Sequence, residues 1–142
     1  MTERVSTQPS VFTRILRGEI PGDVVLQTDD VVVLRDIAPQ APVHLLVVPR
    51  TDAYADVVEL AAGDPALLAH MVETARRAAH EAGAADFRLV FNTGAGAGQT
   101  VFHVHGHVLG VRQQDPGAPA LHDAMAADLG DHQGTGPDER DT

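Results

Sequence analysis

Cysteine is absent from the 142-residue chain, and so is lysine. Without cysteine there is no disulfide framework, no thiolate metal site and no cysteine nucleophile. The ten basic residues are all arginine, against twenty acids, for a net charge of −10. That balance argues against nucleic acid as a main partner, because a phosphate backbone needs a basic face. No apolar run approaches the roughly 18 residues of a membrane span, so no membrane partner is expected. The opening residues are polar, with Glu3 beside Arg4, unlike a secretory signal. The expectation is a soluble cytoplasmic protein. A single domain of this length can build a core without staples, burying about 68–70% of its unfolded surface.

The acidity is uneven. Residues 113–142 hold seven acids and one arginine, whereas residues 1–112 hold thirteen and nine. The segment 113–142 has no Phe, Tyr, Trp, Ile or Val and is rich in Gly, Pro and Asp. Such a composition buries too little apolar surface to offset its ordering entropy. It reads as a partly disordered tail, with room for a short helix over 118–129. The domain is then residues 1–112, with its core at about 10–112.

The body alternates strand and helix signals. Residues 10–18 read as a short helix, with Ser10 as N-cap and Gly18 as its stop. Two β-branched runs, 24–28 and 31–35, flank Asp29 and Asp30 and predict a hairpin. Residues 44–48 form a third strand, ended by Pro49. Asp64 followed by Pro65 starts a long helix to about His80, with Leu67, Leu68, Met71, Val72, Ala75 and Ala79 facing a sheet. Residues 86–92 and 101–110 complete five strands. A hairpin, then a strand, a helix and two more strands suit an α+β antiparallel sheet rather than a doubly wound one. No Gly-x-Gly-x-x-Gly opens a helix and no phosphate-loop lysine exists, so dinucleotide and P-loop readings have no support.

The chemistry concentrates in residues 92–110. On a strand, Val101, His103, His105, His107 and Leu109 share one face, while Phe102, Val104, Gly106 and Val108 share the other, read as the core face. Three imidazoles in register have three uses: solvated surface, metal ligation, or phosphoryl chemistry with one imidazole as nucleophile. The preceding loop separates the last two. Gly94, Gly96 and Gly98 predict inward backbone N–H groups, a nest for an anion, with Asn92 and Thr100 adding side-chain donors. Donors suit phosphate oxygens. A cation site wants a carboxylate, and none lies between Asp86 and Asp115. A fourth histidine, His44, opens the third strand. Before it stands Asp36, an acid able to accept two ribose hydroxyls or simply to cap a turn.

These residues resemble the histidine-triad (HIT) family, whose pattern of three histidines alternating with apolar residues stands here as His103, Val104, His105, Gly106, His107, Val108 and Leu109. The run 36–49, with Asp36, Ile37 and His44, then Asn92 and the run 98–103 extend the likeness to its Hint-like branch, the nucleoside phosphoramidases. The resemblance implies an antiparallel sheet with a long helix, paired in a homodimer so that two sheets become one. It implies a purine nucleotide substrate, an AMP or GMP derivative with an amine, acyl or similar group on the α-phosphorus, and neither cofactor nor metal. By position, His105 is similar to the nucleophile that forms a nucleotidyl-histidine. His103 and His107 are similar to the flanking members that orient it and hold phosphate oxygens, and His44 to the more distant fourth histidine. Asp36 is similar to the ribose acceptor, with Ile37 beside the base. Asn92, Gly98, Gln99 and Thr100 are similar to the phosphate-binding residues.

The chain departs from the family at Gly106, at Asp52, at Gly110-Val111-Arg112, which lacks a second glycine, and in its C-terminal segment, which has no recognisable counterpart. Gly106 replaces the usual apolar residue, as in the nucleotidyltransferases of the same superfamily, whose third position is glutamine where this chain keeps His107. Asp52 stands where Hint proteins often carry a further histidine. Three alternatives stay open: a nucleotide-binding or partner-binding module with weak turnover, a dinucleoside polyphosphate hydrolase or nucleotidyltransferase, and a metal-dependent hydrolase.

Overall fold

The computed structural model describes residues 8–112. The acidic tail and its expected helix lie outside them. The elements are α1 (Val11–Leu16), β1 (Val24–Gln27), β2 (Val31–Arg35), β3 (Val43–Pro49), α2 (Val57–Gly63), α3 (Pro65–Glu81), β4 (Phe87–Val90) and β5 (Gly106–Gly110). The strands form one antiparallel sheet in the order β1-β2-β3-β5-β4. This is the α+β class expected. No helix among the described residues is long and apolar enough to cross a membrane.

The central strands are buried on both faces, so their apolar runs need no alternation. Val31 and Val33 of β2, with Val43, Leu45 and Val47 of β3, pack under α3 through Met71, Ala75, Ala78 and Ala79. On the opposite face Val32, Leu34, Leu46 and Val48 surround Phe12 of α1. The sequence-based helix face was nearly right. Val72 is 43% exposed, and Thr74 takes an inward place, its hydroxyl donating to the His70 carbonyl at 2.7 Å. A donor aimed back up the helix makes a polar side chain tolerable there.

The missed helix α2 carries its own start signal. Asp56 accepts the Glu59 N–H at 2.9 Å, and Glu59 reaches back to the Ala55 N–H at 2.9 Å, a reciprocal cap.

The fifth strand is shorter than expected. Only Gly106–Gly110 pairs, against β3 and β4. Upstream, the ladder gives way to other partners. Val104 N–H donates to the Tyr54 carbonyl at 2.9 Å, and the Pro49 carbonyl takes the His103 ring instead of a strand N–H. Alternation of sides nevertheless persists, because Val104 and Val108 enter the α3 core and Val101 packs on the α1 side. Phe102 is the exception: it is 44% exposed, outside the core face expected for it.

Candidate functional site

Four imidazoles line up on the α1 face. His44 on β3 and His107 on β5 sit on paired strands, His44 opposite Leu109 and His107 opposite Leu46, so the two rings are diagonal neighbours. Their centroids are 5.3 Å apart. His105 follows at 5.3 Å from His107, and Phe12 lies 4.9 Å from His105 and 5.6 Å from His103. All four histidines are buried, at 4% exposure or less. That excludes the solvated-surface reading.

Backbone groups orient His44, His103 and His105, and His107 is set through the His44 ring. His105 Nδ1 lies 2.8 Å from its neighbour's carbonyl, that of His103. A carbonyl only accepts, so Nδ1 donates and Nε2 is the basic nitrogen. His103 is set the opposite way: its Nε2 donates to the Pro49 carbonyl at 2.8 Å, and its Nδ1 accepts from the Ser10 hydroxyl at 2.6 Å. Both nitrogens of His103 therefore have partners inside the protein. His44 Nδ1 accepts the Gln40 N–H at 2.9 Å, which leaves the hydrogen on Nε2, 3.0 Å from His107 Nδ1. His107 then carries its hydrogen on Nε2. Of the three triad rings only His105 has Nε2 as an acceptor.

Burial pushes the His103 pKa below its ordinary value of 6.5, outweighing the opposing pull of the Pro49 carbonyl and the Asp52 charge. The ring stays neutral in the fold. The unfolded chain takes up this proton first, so His103 contributes a loss of stability as pH falls through about 6.5 towards its lower folded value.

Asp36 is buried. Its Oδ1 accepts the Ala38 N–H at 2.8 Å, while Oδ2 lies 3.2 Å from His44 Nε2 without a hydrogen bond of its own. The His44 hydrogen is used on His107. Asp36, His44 and His107 also place one ligating atom each within 4.8 Å of one another. The Gln40 N–H weighs against a cation there. It occupies the Nδ1 lone pair and so keeps a proton on Nε2, the atom that would face the metal. His44 and His107 are joined by a hydrogen bond, and the Asp36 carboxylate lies beside them. Ile37, next to Asp36, is 76% exposed.

The glycine loop is more self-contained than its spacing predicts. Gly94 and Gly98 have φ of 94° and 100°, positions that favour glycine, and they bracket a short 3-10 turn over Ala95–Ala97. The turn commits the N–H groups of Ala97, Gly98 and Gln99 to the carbonyls of Gly94 and Ala95, and that of Gly94 to Gln99 Oε1. These four donors are not available to an anion as the loop stands. The Gln99 amide is likewise occupied, with Nε2 donating to Ala55 O at 2.7 Å and Val101 O at 3.0 Å. Gln99 staples the loop to the segment before α2. Asn92 comes close to Gly98, its Nδ2 3.9 Å from where a Cβ would stand, and Thr100 is exposed.

Gly106 has a packing reason. A Cβ there would meet the Phe91 ring at 2.9 Å and Leu89 at 3.0 Å. Phe91 occupies the volume that an apolar side chain would fill. Gly106→Leu is expected to destabilise the fold by about 1–3 kcal/mol, as overpacking does. Pairing it with Phe91→Ala should recover part of the loss. Urea unfolding of the single and double variants checks this, and a stable Gly106→Leu single variant would refute it.

The HIT domain family model matches residues 17–114. A purine nucleoside phosphoramidase of Escherichia coli is 39% identical over 111 residues, covering 77% of this chain and 92% of the relative. An uncharacterised HIT-like protein of Synechococcus elongatus is 43% identical over 107 residues, covering 75% and 93%. Among solved structures, a HIT family hydrolase from Clostridium thermocellum superposes with a TM-score of 0.70 at 34% identity, covering 78% of this chain and 97% of that one.

Proposed function

The chain belongs to the HIT domain family, and from that premise we propose that it is a hydrolase acting at the α-phosphorus of purine nucleoside 5′-monophosphate derivatives, phosphoramidates above all, through a nucleotidyl-His105 intermediate. The observation that carries this reading is the hydrogen bond from His105 Nδ1 to the His103 carbonyl. It places a ring hydrogen on Nδ1, which supports Nε2 as the attacking atom. In-line attack by Nε2 forms the N–P bond and breaks the bond to the leaving group. Water then breaks N–P and releases the monophosphate. Catalysis is mainly positioning and charge stabilisation.

His107 Nε2–H, oriented through His44 by the Gln40 N–H, supplies a fixed donor for a phosphate oxygen. Asn92, Gly98 and Thr100 are assigned phosphate contacts on this reading, as the family resemblance implies. Gln99 acts through the loop it anchors, and His103 acts through the carbonyl it presents to His105. Asp36 Oδ2 lacks a donor, which ribose hydroxyls would supply, with Ile37 beside the base. The protein acts as a cytoplasmic homodimer on this reading, with β4 as an edge strand that needs cover.

The discriminating experiment ranks turnover on AMP and GMP phosphoramidates, acyl-adenylates, esters and dinucleoside polyphosphates. Amidates should lead. Preference for dinucleoside polyphosphates, or tight AMP binding without turnover of any compound, would contradict the proposal. Chelator should leave the rate within about twofold, because no step needs a Lewis acid. Activity lost to chelator and restored by zinc would contradict that.

A further inference from the structure

Ser10 holds no role in the family resemblance, yet its hydroxyl touches the triad. It caps α1, accepting the Thr13 N–H at 3.1 Å. The same oxygen lies 2.6 Å from His103 Nδ1, 93 positions along the chain. The Pro49 carbonyl holds the ring hydrogen of His103 on Nε2, so the Ser10 hydroxyl is the donor in this bond. Its other acceptor, Thr13 Oγ1, is farther away at 3.3 Å. The lock continues inward, since the His103 carbonyl accepts the His105 Nδ1–H at 2.8 Å. Phe12, two residues after Ser10, packs against both rings and keeps water out. One helix-cap hydroxyl thus sets the first histidine, whose backbone sets the second.

We infer that Ser10 is a positioning residue of the site: its hydroxyl locks the His103 ring and, through the His103 backbone, the orientation of His105. The kinetic consequence rests on the hydrolase reading, whereas the ring lock stands without it.

The test compares full-length wild type, Ser10→Gly and Ser10→Thr. Glycine caps a helix nearly as well as serine, so α1 is retained while the hydroxyl is lost. Imidazole nitrogen NMR reads the His103 tautomer, and steady-state kinetics on adenosine 5′-phosphoramidate read the site. Wild type should show His103 Nδ1 as a hydrogen-bonded acceptor. Ser10→Gly should move that resonance and lower kcat about tenfold, with KM little changed, as loss of one oriented hydrogen bond implies. Ser10→Thr should restore both. Unchanged His103 nitrogens in Ser10→Gly would overturn the lock, whatever happens to the rate. Shifted nitrogens with kcat within about twofold of wild type would overturn the positioning role. A wild type that turns over no nucleotide, while Ser10→Gly still shifts His103, would remove the hydrolase reading and leave the lock in place.

Discussion

His105→Ala is expected to lower kcat by about 10³-fold or more, since on the proposed mechanism it removes the atom that forms the bond to phosphorus. AMP affinity should survive within about tenfold, because ribose and phosphate contacts come from other residues. The contrast with its neighbours follows from the tautomers. His107→Ala removes a donor, and His103→Ala removes the ring that Ser10 and Pro49 lock, which loosens the backbone carbonyl at His105 but keeps it present. Both should be milder than His105→Ala. Equal losses at all three positions would mean that the rings act as one unit and that the tautomer argument does not single out His105.

Phe12→Ala is the largest expected change in stability. Phe12 is fully buried and fills the face between α1 and the sheet, against Val32, Leu34, Leu46 and Val48. Its removal should cost about 3–5 kcal/mol, from lost transfer energy and the cavity left behind. The same ring walls His103 and His105, so the cavity opens beside the proposed nucleophile. A displaced His105 should lower kcat about tenfold or more even where the variant is fully folded. Urea unfolding gives the first quantity, and kinetics well below the midpoint give the second. A Phe12→Ala variant that loses stability but keeps kcat would show that the triad is held without this wall.

The sequence made the sheet legible because β-branched runs and punctuating Asp, Gly and Pro residues coincide. Ser10, Asp64 and Pro65 mark helix starts where the structure has them. The α2 cap pair, Asp56 and Glu59, was equally present, but residues 57–63 are too short and too mildly periodic to be seen without it. The histidines could be picked out, yet their division of labour could not. It depends on which group meets each ring: the His103 carbonyl that sets His105 is local, but the Pro49 carbonyl and the Gln40 N–H come from far along the chain. For the same reason the glycine spacing suggested an open nest. The long-range grip of Gln99 on Ala55, together with the 3-10 turn, draws those donors inward. Ser10 was visible as a cap, but its second bond is tertiary.

The central claim is that His105 Nε2 carries the nucleotidyl group. The direct measurement is a rapid acid-free quench of wild type with adenosine 5′-phosphoramidate, followed by peptide mass mapping under conditions that preserve a phosphoramidate bond. An adenylyl mass on the peptide containing the triad, localised to His105 by fragmentation and absent from His105→Ala, is the expected result. An adduct on His103 or His107, or full turnover by His105→Ala, would contradict it.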